Sequence, residues 1–216
     1  MYNHSGQPKN IYKNMKRFKV KGNIWSMEAE VEFLKVIQAG GIVMHPTETC
    51  YGLAVDVFNE EALTKLHMLK KMSFNKPVSI IVASIEDAER WGQIDDEAEK
   101  LMQKFWPGPY TFIVKMLNTL PPFFNRGTLK VGLRNPPIES LLKVVKKLGH
   151  PITTTSANIS GKPHVYEVDP FIAQLREERI KIEPDLILDG GMLEQNEPSS
   201  IYDVVDGKIL RGNIDI

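Results

Sequence analysis

The sequence predicts one α/β domain whose mixed, twisted β-sheet is flanked by helices. Short apolar runs of strand length alternate with longer segments whose apolar residues recur at helical spacing. These segments do not follow a strict strand–helix–strand rhythm, which favours a mixed sheet over an all-parallel one. The chain has 216 residues, of which 42% are hydrophobic and 25% charged, as in an ordinary globular protein. This length suits a single domain with a substantial core.

The first half of the chain opens with a basic segment and continues with two helices and short strands. Residues 1–23 are polar and show no periodicity, so we predict a flexible basic N-terminal extension there and the folded domain over residues 24–216. Ser26 is a favourable N-cap for the first helix, which Gly40 and Gly41 end. The buried stripe of this helix is predicted to comprise Val31, Phe33, Leu34 and Ile37. Further elements are predicted as strands at residues 42–44 and 78–83, an apolar run at 53–58 and a helix over 60–71.

The second half of the chain repeats this mixture. Helices are predicted at residues 85–91, 95–105, 138–148 and 170–179. Strands are predicted at residues 110–116, 129–134, 186–188, 201–205 and 209–210, with another beginning near 151. The turn Trp106-Pro107-Gly108-Pro109 is predicted to be stiff. Gly149 is predicted to end the helix at residues 138–148. One domain without internal repeats is therefore expected.

Charge and cysteine content narrow the classes of function. The 27 Lys and Arg residues balance the 27 Asp and Glu residues, so no global charge attracts nucleic acid. Any RNA contact must use a local patch, such as the basic residues between positions 13 and 21. The single Cys50 excludes an internal disulfide and favours a reducing compartment, so we predict the cytoplasm. No apolar run reaches membrane-spanning length, and no membrane partner is expected.

The most informative segment is Thr153-Thr154-Thr155-Ser156-Ala157-Asn158-Ile159-Ser160-Gly161, which follows an apolar strand start. A buried hydroxyl without a partner costs about 1–3 kcal/mol, so such a run is poorly suited to a core. It suits a polar ligand held where a strand ends, as in α/β sheets. An ordinary turn rich in Ser, Thr and Asn explains the same residues equally well.

Four further segments are rich in groups that bind ligands. They are residues 45–52, 70–77, 106–111 and 131–136. Arg134 ends an apolar strand and can hold a carboxylate or phosphate through two parallel hydrogen bonds. Lys70 and Lys71 have a structural alternative, because lysines commonly complement the dipole at helix C-termini.

Common catalytic motifs are absent from the sequence. It contains no Gly-x-x-x-x-Gly-Lys-Ser/Thr loop, no Gly-x-Gly-x-x-Gly and no Gly-x-Ser-x-Gly. Its five His residues and single Cys lack the spacing of a structural zinc site. Ser156 has no base beside it in sequence, which favours a hydroxyl that binds over one that attacks.

Taken together, these segments resemble the signatures of the YrdC/Sua5 family over roughly residues 27–212. The resemblance is carried by Pro46-Thr47-Glu48-Thr49-Cys50-Tyr51-Gly52-Leu53, Trp106-Pro107-Gly108-Pro109-x-Thr111, Gly132-x-Arg134-x-Pro136, Thr155-Ser156-Ala157-Asn158-x-Ser160-Gly161, Pro198-Ser199-Ser200-Ile201-x-Asp203 and Arg211-x-Asn213. Each block alone is weak, but their joint order is specific. The chain is similar in extent to the short form of the family, and a YrdC-like fold is expected.

The resemblance implies a nucleotidyltransferase, an L-threonylcarbamoyladenylate synthase that uses ATP, L-threonine and bicarbonate. Its product would feed the threonylcarbamoyl-transferase machinery that makes t6A37 on tRNA. By similarity, Lys70, Ser156 and Asn158 would be catalytic. The resemblance assigns ATP to Lys70, Lys76, Thr111, Ser156, Asn158, His164 and Arg211. It assigns threonine to Thr47, Arg134, Thr154 and Ser199. Mg²⁺ would arrive with ATP and keep most of its waters, so its protein ligands stay unassigned.

One departure from the family pattern keeps alternatives open. Met72 stands where the family usually has Arg, and losing a charge-assisted hydrogen bond costs about 1.5–3 kcal/mol. Lys71 or Lys76 could fill the gap. Ile81 stands in the apparent place of a frequent His. A YciO-like paralogue with related carbamoyl-adenylate chemistry is one alternative. A module that binds tRNA or double-stranded RNA without synthase activity is the other.

Overall fold

The computed structural model describes residues 15–215, which form a mixed β-sheet with helices on both faces. Its helices are α1 (Met27–Gln38), α2 (Glu60–Leu69), α3 (Ile85–Ala88), α4 (Asp96–Phe105), α5 (Glu139–Leu148) and α6 (Val168–Glu177). Its strands are β1 (Lys16–Lys19), β2 (Val43–Pro46), β3 (Tyr51–Ala54), β4 (Ser79–Ile81), β5 (Gly92–Gln93), β6 (Tyr110–Met116), β7 (Lys130–Arg134), β8 (Ile152–Ser156), β9 (Leu186–Asp189), β10 (Ser200–Asp203) and β11 (Lys208–Arg211).

All these strands belong to one sheet. Their order is β1-β9-β2-β3-β8-β4-β7-β6-β10-β11, and β5 pairs with β6 beside this path. Four pairs are parallel, namely β1 with β9, β2 with β9, β4 with β7 and β6 with β10. The other pairs are antiparallel. The predicted α/β fold with a mixed sheet is confirmed.

Side-chain alternation along the strands divides the core into two layers. In β9, Leu186 and Leu188 pack in the cluster that contains the buried stripes of α1 and α5. Ile187 points the other way, into the cluster that contains α2, α4 and α6. The sheet therefore lies between two helical layers, as its apolar strands require.

Helix termini follow the local signals closely. Ser26 Oγ accepts the N–H of Ala29 at 3.2 Å, which caps α1. Gly149 caps α5 with a φ of 81°, a left-handed conformation that favours glycine. The stripe of α1 differs from the prediction at one position, because Val31 is half exposed while Phe33 and Ile37 are buried.

The predicted flexible extension is wrong in its last part. Lys16–Lys19 form β1 and pair in parallel with β9, while residues 1–14 lie outside the described part of the chain. Arg17 Nε and Lys19 Nζ contact the buried Asp189 carboxylate at 3.0 and 2.6 Å. Burial alone would raise the pKa of Asp189, but hydrogen bonds from Lys19, the N–H of Gly191 and Arg17 lower this pKa to about 2. The partner of these cations is distant in sequence, so a local pattern could not reveal it.

The helix predicted at residues 85–91 is also too long. The structure ends α3 at Ala88, and Gly92 with Gln93 forms the short strand β5 against β6. A side chain at Gly92 would place its Cβ 2.4 Å from Val114 Cγ2. Only glycine allows β5 to approach β6 this closely, and that constraint comes from tertiary packing.

Candidate functional site

A cavity of about 290 Å³ opens over the middle of the sheet. The residues predicted to be catalytic, to bind ATP or to bind threonine all line it. They are Thr47, Lys70, Lys76, Thr111, Arg134, Thr154, Ser156, Asn158, His164, Ser199 and Arg211. The structure thus brings together every predicted site residue, while their individual roles stay predictions.

Cross-strand neighbours build the floor of this cavity. Thr111 of β6 lies opposite Arg134 of β7, and Ser79 of β4 lies opposite Thr154 of β8. A Cβ at Gly132 would lie 2.4 Å from Ser79 Oγ, so glycine allows the strands to approach closely here. Since β4 is parallel to β7 and antiparallel to β8, the site lies over the sheet rather than at one common carboxyl edge.

The turn between β2 and β3 closes on its own hydroxyl. Thr47 Oγ1 donates to the carbonyl of Cys50 at 2.6 Å and accepts the N–H groups of Thr49 and Cys50 at 3.2 Å. This turn holds Arg134, whose Nη2 donates to Glu48 Oε1 and to Thr49 Oγ1. Arg134 is only 8% exposed, so its guanidinium is fixed at the cavity wall.

Lys70 lies at the C-terminus of α2 and is buried, with 3% exposure. Its Nζ donates to the carbonyls of Ser156 and Asn158, the latter at 2.8 Å. Burial lowers the pKa of Lys70 to about 7, and the charge of Lys76 adds to this effect. The ammonium is therefore held in the cavity at a substantial electrostatic cost.

Two further basic side chains, Arg211 and His164, line the cavity. Arg211 donates through Nε to the carbonyl of Ser199 at 2.7 Å and through Nη2 to its hydroxyl at 2.8 Å. Burial, followed by the charges of Arg211 and Lys70, lowers the pKa of His164. His164 Nδ1 is buried and has no hydrogen-bond partner within residues 15–215. This crowding of positive groups favours an anionic ligand.

The segment from Ser156 to Lys162 is held by side-chain amide contacts. Ser156 Oγ donates to Asn158 Oδ1, and Asn158 Nδ2 donates to the carbonyls of Ile159 and Lys162 at 3.1 and 2.6 Å. Thr153, in contrast, is fully buried away from the cavity, where its Oγ1 accepts the N–H of Val55. The hydroxyl-rich run therefore divides between a site and the core.

The described residues lining the cavity comprise five basic side chains and no carboxylate. The basic ones are Lys70, Lys76, Arg134, His164 and Arg211. Within residues 15–215, no group of three or more His, Cys, Asp or Glu side chains could hold a metal ion. The free thiol of Cys50 lines the cavity, but burial raises its pKa, which argues against a nucleophilic role. The arrangement can bind and orient anions without forming a covalent intermediate.

The surroundings of Met72 show which of Lys71 and Lys76 lies near the place of the predicted arginine. Met72 is buried in the cavity wall, at the position where the resemblance predicts an arginine. Lys71 turns away and pairs with Glu178 at 2.9 Å, whereas Lys76 lines the cavity. Of the two lysines considered as replacements, only Lys76 faces the site. Ile81 is packed in the core against α1 and α5 and does not line the cavity.

Sequence reasoning missed three contributors to the site. Ser79 lines the cavity, Glu48 pairs with Arg134, and Asn196 Nδ2 donates to the carbonyl of Glu48 at 3.0 Å. Glu48 lies within a recognised block, so its acidic character was a usable signal. Nothing local to Ser79 or Asn196 distinguishes them from ordinary polar residues.

Across the described residues, none of the helices is long and apolar enough to cross a membrane. The Sua5/YciO/YrdC family model, described as telomere recombination, matches residues 35–212.

Individual relatives agree with this match. A Vibrio campbellii protein named threonylcarbamoyl-AMP synthase is 30% identical, over 83% of this chain and 96% of its own. The crystal structure of P. abyssi Sua5 complexed with L-threonine has a TM-score of 0.79 and 31% identity, covering 90% of this chain and 56% of that one. The present chain thus spans little more than half of that protein. E. coli YciO has a TM-score of 0.76 at 21% identity, covering 88% of this chain and 90% of its own, which shows a shared fold.

Proposed function

The chain belongs to the Sua5/YciO/YrdC family, and we propose that it makes threonylcarbamoyl-AMP and pyrophosphate from ATP, L-threonine and bicarbonate. The observation that carries the proposal is the cavity itself, which joins five basic groups to a set of neutral hydroxyl and amide groups. This combination suits a triphosphate beside a small amino acid. The names of the relatives support the same reaction.

The reaction needs orientation more than covalent chemistry. The amine of threonine attacks carbon dioxide derived from bicarbonate, and a carbamate forms with loss of a proton. A carbamate oxygen then attacks the α-phosphorus of ATP, the P–O bond to the β-phosphate breaks, and pyrophosphate leaves. Holding these reactants together supplies much of the rate enhancement.

The residues of the cavity can divide this work. Arg134 would hold the carboxylate of threonine, with Thr47, Thr154 and Ser199 around it. These neutral groups suit the hydroxyl of the amino acid. The carboxylate is thereby fixed while the amine remains free to react.

The remaining cations would meet the nucleotide. Lys70, Lys76 and Arg211 would neutralise phosphate charge, and His164, Thr111, Ser156 and Asn158 would donate or accept hydrogen bonds. Lys70 and Asn158 are buried, so water screens their contacts weakly. Stabilising charge that develops on the departing pyrophosphate is the catalytic role of this group.

Magnesium fits this site as an ion carried by ATP. The described lining offers neutral oxygens such as Ser156 Oγ and Asn158 Oδ1 but no carboxylate, as expected for an ion that keeps several waters and binds substrate phosphates. When bound, Mg²⁺ would supply charge neutralisation on the phosphates.

The test is the dependence of pyrophosphate release on the co-substrates. Purified protein with ATP and Mg²⁺ should release pyrophosphate only when threonine and bicarbonate are both present. Arg134→Ala should raise the threonine requirement most, since this residue would bind the carboxylate. Equal release after either co-substrate is omitted would refute the proposal.

Met72 favours one second candidate, a YciO-like paralogue acting on a related carbamoyl adenylate. Such a protein would turn over ATP with a different amine, so a panel of amino acids in the same assay separates the two. RNA binding alone is less favoured, because Lys16, Arg17 and Lys19 of β1 are paired with Glu32, Asp169 and Asp189. We propose the cytoplasm as compartment, from the single Cys50, and the tRNA-modifying transfer machinery as the consumer of the product.

A further inference from the structure

The guanidinium of Arg134 is held asymmetrically, because its hydrogen bonds to neighbouring side chains use only one of its two amino groups. Glu48 Oε1 and Thr49 Oγ1 both accept from Nη2, and neither contact uses Nη1. Arg134 Nε is buried and has no hydrogen-bond partner within residues 15–215. The guanidinium is thus held through Nη2, and its other amino group, Nη1, remains available to a ligand.

Glu48 does not itself occupy the ligand space. It is not among the residues that line the cavity, whereas its neighbours Thr47 and Thr49 are. Its second oxygen, Oε2, is buried without a hydrogen-bond partner in the described chain. Glu48 therefore contacts Arg134 from outside the cavity lining and does not occupy the space in which a substrate carboxylate would bind.

The backbone around Glu48 is fixed independently of Arg134. The Thr47 hydroxyl closes the turn through three hydrogen bonds with residues 49 and 50. Asn196, far away in sequence, donates to the carbonyl of Glu48 at 3.0 Å. A carboxylate on a rigid turn is a good anchor for a long side chain, because little conformational freedom remains to be lost on binding.

We propose that Glu48 is a positioning residue that orients Arg134 toward the carboxylate of the amino-acid substrate. The inference rests on the proposed function and adds a specificity-determining partner to it. Without Glu48, Arg134 keeps one neutral contact to Thr49 and samples more rotamers. Binding of the carboxylate then has to order the guanidinium again, so affinity for the amino acid falls while the chemical step is spared.

The experiment compares Glu48→Ala with Glu48→Gln in steady-state kinetics. Glu48→Ala should raise the KM for threonine about tenfold, the KM for ATP and kcat changing less than about twofold. Glu48→Gln keeps an acceptor oxygen and should recover most of this loss, to within about threefold of the parent protein. Glu60→Gln is the matched control, since Glu60 pairs with Arg126 at 2.5 Å outside the cavity and should leave all constants unchanged.

A double mutant decides whether Glu48 acts through Arg134. In an Arg134→Ala background, Glu48→Ala should change the KM for threonine by less than about twofold. A further tenfold loss would overturn the inference, as would a lower KM in Glu48→Ala, which would mean that Glu48 competes with the substrate. Equal losses in kcat and both KM values would also overturn it, because they indicate general damage to the site.

Calorimetric titration of the unmodified protein with threonine separates this inference from the proposed function. If the parent chain binds no threonine, the proposed function fails. If the parent binds threonine and Glu48→Ala binds it equally well, the proposed function stands and the role of Glu48 is refuted.

Discussion

Replacing Lys70 by methionine should make the stability of the protein less dependent on pH while abolishing turnover. Lys70 is 3% exposed, and burial with the nearby charge of Lys76 lowers its pKa to about 7. In the unfolded chain its pKa is near 10.5. The folded protein thus holds fewer protons on this residue between pH 7 and 10.5, so its stability rises with pH across that window.

The size of the effect follows from the same two pKa values. At about 1.36 kcal/mol per pKa unit, keeping Lys70 charged costs roughly 5 kcal/mol at pH 6. At pH 10 less than about 1 kcal/mol of this cost is left. Methionine removes the cost but leaves the carbonyls of Ser156 and Asn158 without this donor, at about 1–3 kcal/mol each. The stability difference between variant and parent should therefore fall by about 4 kcal/mol from pH 6 to pH 10.

Urea unfolding at several pH values measures this difference directly. The free energy of unfolding of Lys70→Met, relative to that of the parent, should be most favourable at pH 6 and should fall steadily as the pH rises to 10. Lys71→Met is the matched control, because Lys71 is the next residue in the chain but pairs with Glu178 and does not line the cavity. A stability difference for Lys70→Met that is constant with pH would refute the reasoning.

The remaining predictions concern the nucleotide and the cavity floor. ATP binding at pH 8 should be accompanied by the uptake of close to one proton, because a bound phosphate raises the pKa of Lys70 toward its ordinary value. Calorimetric titration in buffers of different ionisation enthalpy measures the number of protons taken up. Binding without proton uptake would contradict this prediction. Met72→Arg should lower the KM for ATP about tenfold by restoring a cation to the wall, and an unchanged KM would mean that Lys76 already compensates. Gly132→Ala should weaken substrate binding and lower the free energy of unfolding by about 1–3 kcal/mol, since its Cβ would lie 2.4 Å from Ser79 Oγ; unchanged urea unfolding and KM values would contradict this.

Local signals predicted most elements because their causes are local. Ser26 and Gly149 cap their helices as expected, since a cap depends on only a few neighbouring residues. The residues of the site were also recognisable, because several short blocks occur in the order that one family uses. Their convergence on one cavity could not be derived from any single block.

What the sequence could not reveal depends on distant partners. Lys16–Lys19 looked like part of a solvated tail, yet Arg17 and Lys19 contact the buried Asp189. Lys70 resembled an ordinary lysine at a helix C-terminus, yet its ammonium lies against the carbonyls of the segment after β8. In each case the deciding contact joins residues that are more than 80 positions apart, and no periodicity encodes it.

These contacts bring basic side chains close together in the cavity, and the repulsion between them affects ligand binding. Basic groups are gathered where carboxylates are absent from the described lining, and their charges add to burial in lowering pKa values, as Lys76 does for Lys70 and Arg211 does for His164. An anion that enters relieves this repulsion, which makes binding energy available that the empty site cannot use. Met72 reduces this repulsion by one charge relative to the arginine that the resemblance predicts at this position. Restoring an arginine there should therefore tighten ATP binding and, for the same reason, destabilise the protein without nucleotide, and the two effects must rise together if charge crowding is what drives binding.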